Sequence, residues 1–388
     1  MELTKARILH ISKYYYPFLG GTEQVARDMV SALLGTGAEQ KVICFNEDAG
    51  SGEYSTRHGE TVTDWVDGVE VIRCGYQVKA ASQSISFGYG RELQKLMDSF
   101  RPNVVVLHYP NPYVTHFLLK FRDRDFKLLV YWHLDIVKQK ILKLFFTGQN
   151  IALIQRADRL IATSQNYING SPWLSSEKEK CVVIPNCINT ERLRMTPEAE
   201  RRATEIRDAC GAKILCLAVG RHTAYKGYRY LIQAAKMLDD RFRVIIGGSG
   251  EETESLKAEA GEDPRILFVG RLEDTELKAY LRAMDIFCFP SITKNEAFGI
   301  ALAEGMYFEK PAVTFTIPGS GVNYVCLGGE NGIEVPNRDV EAYADALRTL
   351  ADDEELRIRY GRAARQRVLD YFLPESFVQN ALHLFEGL

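Results

Sequence analysis

No run of apolar side chains in these 388 residues approaches the roughly 18–20 that a bilayer-spanning helix needs, and the first residues lack a signal-peptide core. The chain is therefore expected to be cytosolic. Its eight cysteines (Cys44, Cys74, Cys181, Cys187, Cys210, Cys216, Cys288, Cys326) contain no CxxC pair and no regular spacing. Cys44, Cys216 and Cys288 lie inside apolar strand patterns, so the set reads as buried free thiols of a reducing compartment. The seven histidines lack any paired ligand spacing, and no structural or catalytic metal is expected. A net charge of −3 gives no whole-protein argument for nucleic-acid binding. Compositional bias is absent too. Hydrophobic residues at 46% and charged residues at 26% are ordinary globular values, which excludes disordered and collagen-like classes.

What is present is alternation. Apolar strand patterns alternate with helical ones throughout, the mark of α/β architecture with parallel sheets covered on both faces. The first half places strands at residues 7–11, 41–45, 69–74, 103–108, 127–132, 159–163 and 181–185. The second places them at 213–219, 242–247, 265–269, 285–290, 311–315 and 332–335. A chain of this length suits two domains better than one core, with expected spans of 1–190 and 191–370. The charged residues 190–211 read as a linker plus the first helix of the second domain.

The chemistry is densest in Asn295-Glu296-Ala297-Phe298-Gly299-Ile300-Ala301-Leu302-Ala303-Glu304-Gly305-Met306. Two carboxylates, Glu296 and Glu304, are separated by seven residues across a small-residue helix start that follows an apolar strand. A helix opening near Phe298 offers free N–H groups and a positive dipole to a pyrophosphate. Gly299 and Ala301 have little side chain to hold a phosphate off the backbone. Glu304 falls about 9 Å further along at roughly 1.5 Å per residue, the reach from a pyrophosphate to its ribose hydroxyls. Glu296 falls near whatever hangs from the far phosphate. The plainer alternative is a solvated helix with two incidental glutamates.

A second segment strengthens the ligand reading. The strand at 213–219 runs into Gly220-Arg221-His222-Thr223-Ala224-Tyr225-Lys226-Gly227 and then a helical pattern over residues 228–238. Arg221 and Lys226 thus share one strand-to-helix turn, where α/β sheets bind ligands. A guanidinium clamps a phosphate through two hydrogen bonds and an ammonium acts as a point charge, so the pair would neutralise a leaving diphosphate. Two surface cations are the alternative.

The Arg–Lys turn, the Gly270-Arg271-Leu272 turn and the Glu-x7-Glu helix together resemble the retaining glycosyltransferases of family 4, which have the GT-B fold. Val183-Ile184-Pro185-Asn186-Cys187-Ile188-Asn189 resembles the family's Pro-Asn-Gly-Ile-Asp hinge segment, departing from it at Cys187 and Asn189, which receive no role. Tyr16-Pro17-Phe18-Leu19-Gly20-Gly21-Thr22-Glu23 matches the family's Gly-Gly loop. The resemblance covers essentially the whole chain. It implies two Rossmann-like domains facing each other across a deep cleft, an amino-terminal one for the acceptor and a carboxyl-terminal one for the nucleotide sugar. It also implies a closing helix, within residues 371–388, that packs back on the first domain and makes closure a hinge motion.

Residues of the first half gain meaning in this light. Gly20-Gly21 opens a helix over residues 22–34, where the backbone can approach an anion closely; the resemblance implies contact with the donor diphosphate on closure, against the alternative of a plain tight turn. His133, just past the strand at 127–132, matches a histidine that in the family contacts the donor sugar, with Asp135 as an orienting partner for its ring. Asp123-Arg124-Asp125 superficially forms a metal-binding DxD but lies at the amino end of that strand, the wrong edge for a ligand, and reads as a solvated loop. The stretch Ile136-Val137-Lys138-Gln139-Lys140-Ile141-Leu142-Lys143-Leu144-Phe145-Phe146 interleaves three lysines with apolar residues at helical spacing. It reads either as a core-facing helix with a solvated face or as peripheral contact with the inner face of a membrane.

The expected activity is transfer of a hexose, with retention, from a nucleotide diphosphate sugar to a hydroxyl of a glycan or lipid-linked acceptor in cell-surface polysaccharide synthesis, without cofactor or metal. Arg221, Lys226 and the helix start at Phe298, Gly299 and Ile300 would stabilise the leaving group. Glu296 and His133 would orient the sugar, while Glu304 on the ribose and Arg271 and Leu272 near the base would grip the nucleotide. The resemblance supplies no carboxylate nucleophile, so same-face attack is favoured over double displacement. The wording over 296–303 and Ser320-Gly321-Val322-Asn323 is similar to the mannosyl/rhamnosyl branch, making GDP-mannose the first donor expected and UDP-hexoses the alternative. An isomerase on the same fold, or a silent sugar-nucleotide-binding partner, fits less well because Arg221, Lys226, Glu296 and Glu304 are all present.

Overall fold

The computed structural model describes residues 1–18, 20–47, 59–80, 83–135, 140–211 and 213–388, with the side chains of 80 and 140–145 left aside. The chain forms two compact units. One comprises Met1–Thr163, Ser171–Ile184 and Phe377–Leu388, the other Ser164–Gly170 and Pro185–Ser376.

The first unit carries β1 (Arg7–Ile11), β2 (Glu39–Phe45), β3 (Val62–Val66), β4 (Val69–Cys74), β5 (Val78–Ala80), β6 (Gln83–Ile85), β7 (Val104–Tyr109), β8 (Lys127–Trp132), β9 (Arg159–Ala162) and β10 (Cys181–Val183). Eight of these make one sheet in the order β10-β9-β8-β7-β1-β2-β4-β3, parallel except for the β3–β4 pair. All six residues of β7 are buried, as expected of a parallel strand with both faces covered. The last helix, Pro374–Glu386, buries Phe377, Ala381, Leu384 and Phe385, an i, i+4, i+7, i+8 stripe.

The second unit carries β11 (Ile214–Val219), β12 (Phe242–Gly247), β13 (Ile266–Gly270), β14 (Ile286–Phe289), β15 (Ala312–Phe315) and β16 (Gly332–Val335). Their order is β13-β12-β11-β14-β15-β16, all parallel. This is a doubly wound sheet in which the order of strand addition reverses between β11 and β14. Helix starts follow ordinary capping chemistry. Thr196, Asp339 and Asp353 accept from the N–H three residues on, and Pro197 takes the first helical position.

Strands at 7–11, 69–74, 127–132, 242–247 and 332–335 occupy the expected residues, and the other expected strands shift by one or two at an end. Residues 190–211 hold two helices rather than one, Thr190–Leu193 and Pro197–Cys210. Strand β3 and the β5–β6 hairpin went unexpected. The signal for β3 was available: Asp67-Gly68 turns the chain with φ of 52° and 81°, the two-residue hairpin turn that Asp-Gly favours.

Among the described residues of the first unit three histidines are buried: His10 (0% exposed), His108 (1%) and His133 (6%). Burial lowers His10 to about 4 and His133 to about 3, and pushes His108 well down with added repulsion from its histidine neighbours. All three stay neutral in the fold but take protons in the unfolded chain below about 6.5. Their contribution is therefore intact above pH 6.5 and is lost as pH falls from there toward 3–4. Denaturant titrations between pH 7 and 5 should show the unfolding free energy dropping, with a slope that approaches about 1.4 kcal/mol per pH unit for each histidine. His10→Asn should remove one share of that slope; an unchanged slope would contradict this origin.

Candidate active site

The reversal between β11 and β14 determines where the second unit can hold a ligand. At such a point the loops leaving two neighbouring strands diverge, and a crevice opens beyond their carboxyl ends. The loop after β11 is Gly220–Gly227 in sequence, with a single 3-10 turn at Ala224–Lys226. The loop after β14 runs from Pro290 to Gly299.

These loops are bound to each other. Ile292 N–H donates to the Tyr225 carbonyl at 2.9 Å. Gly227 has φ of 67°, and a Cβ there would collide with the Pro290 carbonyl oxygen, so only glycine fits. Lys226 Nζ forms an ion pair with Glu296 Oε2, and both side chains are largely buried. Ser291 Oγ donates to the same carboxylate oxygen at 3.3 Å, and the ammonium lies 5.0 Å from the centre of the Phe289 ring. Burial alone would lower the Lys226 pKa, but the Glu296 carboxylate outweighs it and the pKa is raised. Arg221, at the head of the same loop, is exposed.

The helix after this loop is Ile300–Tyr307, so it opens at Ile300 rather than near Phe298. The cause is local. Gly299 is left-handed, with φ of 97°, and Phe298 turns inward to pack edge-on against Phe372 at 5.1 Å. Phe298 therefore offers backbone, not side chain. Leu302 and Ala303 both donate to the Gly299 carbonyl, while the N–H groups of Ile300 and Ala301 have no intrahelical acceptor. Ser320 Oγ donates to the Glu296 carbonyl and so holds the loop from its far side.

Glu304 sits one turn further along and is buried, which removes the solvated-helix alternative for it. Burial raises its pKa, opposed by the Arg192 guanidinium. Arg192 Nη1 donates to Glu304 Oε1 at 3.0 Å and its Nε donates to Asp274 Oδ1 at 2.8 Å. Asn189, given no role from the sequence, caps the short helix that presents Arg192. Sequence reasoning missed Arg192 because 112 positions separate it from Glu304.

It also missed Gly247-Gly248-Ser249-Gly250, which begins at the last residue of β12. Gly248 N–H donates to the Gly270 carbonyl at 2.6 Å, and His222 N–H donates to the Ser249 carbonyl at 3.0 Å. A Cβ on Gly250 would press into the His222 backbone. The glycines let the β11, β12 and β13 loops close up, and a Gly-rich strand-to-helix junction was the legible signal. Leu272 packs against Gly247, whereas Arg271 is exposed, 3.5 Å from Glu273.

In the first unit Gly20 caps the helix Gly21–Ala32, which opens one residue earlier than expected. The Glu23 carboxylate folds back over Gly20, close enough that a Cβ there would strike it. His133 Nε2 lies 3.0 Å from His108 Nδ1, so its ring partner is His108 and not Asp135. Asp135 is occupied elsewhere, accepting from Trp132 Nε1 and Ser171 Oγ at 2.9 Å each. Asp123, Arg124 and Asp125 form an exposed turn, and no cluster of three or more metal-ligating side chains occurs among the described residues. Of the stretch Ile136 to Phe146, residues 136–139 and the side chains of 140–145 lie outside the described residues, although the helix Lys140–Arg156 covers its later part. No helix among the described residues is long and apolar enough to cross a membrane.

Comparison with known proteins agrees across the chain. Residues 19–192 match Glycosyltransferase Family 4, and residues 203–367 match Glycosyl transferases group 1. The O-antigen chain mannosyltransferase C of Escherichia coli is 27% identical over 98% of this chain and 98% of its own. The D-rhamnosyltransferase WbpZ of Pseudomonas aeruginosa is 28% identical over 94% and 92%. Among solved structures, sucrose-phosphate synthase from Thermosynechococcus elongatus superposes with a TM-score of 0.79 at 19% identity over 99% of both chains. Anabaena HepE in complex with UDP and glucose gives 0.75 at 16% over 99% of this chain and 100% of that one. The chain thus joins a family 4 glycosyltransferase domain to a group 1 glycosyltransferase domain on the GT-B fold.

Proposed function

We propose that this protein transfers a hexose, with retention, from a nucleoside diphosphate sugar to a hydroxyl of a glycan or lipid-linked acceptor during polysaccharide synthesis. The observation that carries this reading is the largely buried Lys226–Glu296 pair at the strand reversal, followed in the same loop by the start of the helix Ile300–Tyr307, whose first N–H groups have no intrahelical acceptor. A cation and a helix start converge where a diphosphate leaves, and a carboxylate stands where the sugar hydroxyls would lie. Mannose from GDP-mannose is the first donor, supported by the likeness to O-antigen chain mannosyltransferase C. A UDP-hexose is the second, favoured by the fold shared with a protein solved with UDP and glucose.

In this reading Arg221 and Lys226 neutralise the departing diphosphate. Glu296 and His133 orient the sugar. Glu304 accepts from the ribose hydroxyls with the Arg192 guanidinium beside it, while the Arg271–Leu272 backbone borders the base. Gly20 and Gly21 approach the diphosphate from the first domain, where the Glu23 carboxylate has to swing aside. No enzyme carboxylate acts as nucleophile. The acceptor hydroxyl attacks on the face the diphosphate leaves, and the departing phosphate oxygen takes its proton. No metal is required by this assignment, and any membrane contact is peripheral, through residues 136–146.

Steady-state kinetics with a donor panel test these roles. Arg221→Ala should depress kcat by about 100- to 1000-fold, the scale for a lost transition-state charge donor. Because Arg221 is exposed, its Tm should hold, and an unchanged kcat would overturn its role. Lys226→Ala should lose comparable activity, but it also strands Glu296 and should lower Tm, since breaking a buried pair costs about 3–5 kcal/mol.

Glu304→Ala should act on affinity instead. Calorimetry should show the nucleoside diphosphate Kd weakened about tenfold to a hundredfold, the loss of one or two hydrogen bonds to a charged group. An intact Kd with a collapsed kcat would reassign Glu304 to chemistry.

A further inference from the structure

A diagonal row of polar side chains crosses the sheet of the first unit. Gln40 of β2, His10 of β1, His108 of β7 and His133 just past β8 stand on four adjacent strands. The register sets Gln40 opposite Ile8, His10 opposite Val106 and His108 opposite Tyr131. Each member is thus two residues further along than the one before it. Two residues is one side-chain repeat, so all four occupy one face. The row ends at the carboxyl edge of the sheet with His133, the most exposed of the three rings.

The bonds along it have a direction. Gln40 Nε2 donates to the Val30 carbonyl at 3.1 Å, and a carbonyl can only accept, which turns Oε1 toward His10. His10 Nε2, 2.9 Å from that oxygen, must carry its proton. A neutral imidazole has a single N–H, so His10 Nδ1 is a bare acceptor. His10 Nδ1 and His108 Nε2 are both buried and have no hydrogen-bond partner among the described residues. The two atoms belong to diagonal neighbours of the row, and with the proton on His108 Nε2 a water between them would link donor to acceptor in the same sense as the rest. With the proton on Nδ1 instead, both atoms would be acceptors and the mutual polarisation of a one-way chain would be broken. With Nε2–H on His108, its Nδ1 is the acceptor for His133 Nε2–H, 3.0 Å away.

We infer that Gln40, His10 and His108 form a one-way hydrogen-bond wire that leaves His133 Nδ1 bare, so that His133 accepts a hydrogen bond from a sugar hydroxyl and does not donate one. The ligand read at this atom rests on the transferase proposal above; the tautomers do not. Gln40, His10 and His108 are positioning residues, since none touches substrate.

Two-bond proton–nitrogen NMR of 15N-histidine protein at pH 7 reads the tautomers directly. The expected spectrum has protonated Nε2 and bare Nδ1 on His10, His108 and His133. Adding the nucleotide sugar, but not the nucleoside diphosphate alone, should move His133 Nδ1 toward a hydrogen-bonded shift while it stays unprotonated. A protonated Nδ1 on His108 or His133 in the free protein overturns the wire. Gln40→Leu, which removes the anchored end, should mix the tautomers; unmixed tautomers overturn the claim that Gln40 sets the direction. Expected tautomers with no response to any nucleotide sugar would uphold the wire and count against the transferase reading.

Discussion

The contact between Lys226 and Glu296 is the constraint on which the second unit's site depends. Two loops leave neighbouring strands in diverging directions at the sheet's reversal, and nothing in the sheet itself holds their tips together. The ion pair does, with the Ile292–Tyr225 backbone bond beside it and Gly227 admitting the Pro290 carbonyl where a Cβ would block it. Because both charges are largely buried, removing either one leaves the other without solvation. The loops are therefore held in one arrangement before any ligand arrives, which is what electrostatic preorganisation requires. Under the proposed function, an incoming diphosphate would meet a cation whose position is already set and whose charge the adjoining carboxylate maintains.

The parts of this arrangement that were legible in the sequence are the local ones. A strand, a turn of fixed length and a helix start place Arg221 with Lys226, and Glu296 with Glu304, within single short segments. The two Rossmann-like domains were legible for the same reason, since buried parallel strands such as Val104–Tyr109 write themselves as continuous apolar runs. The antiparallel edge was harder. Strand β3 alternates Val, Thr, Asp, Trp and Val, and only the Asp67-Gly68 turn betrays it.

What was not legible is long-range. Arg192 reaches Glu304 from a four-residue helix far away in sequence, and no periodicity reports such a meeting. The helix start at Ile300 was misplaced by two residues because helix propensity cannot see that Phe298 is needed against Phe372. Asp135 was expected to orient His133 because they are near neighbours in sequence. The chain leaves its strand after Trp132, however, and Asp135 accepts from Trp132 Nε1 and Ser171 Oγ, while the partner of His133 comes from the neighbouring strand as His108.

The two units solve their electrostatic problems in opposite ways. In the second, charges are paired: Lys226 retains its proton against burial because Glu296 is beside it, and the Arg192 guanidinium opposes, without overcoming, the burial that raises Glu304. In the first, charge is removed: burial lowers His10 to about 4 and His133 to about 3, and the row holds its shape through neutral hydrogen bonds. That division matches the chemistry proposed. Negative charge develops on the departing diphosphate, where fixed cations and helix N–H groups gain strength as the transition state forms. The sugar's hydroxyls gain no comparable charge, and a neutral acceptor suffices to orient one of them. In the proposed reaction an imidazolium at His133 would instead repel positive charge building on the anomeric carbon, so the burial that keeps that ring neutral would favour the transfer.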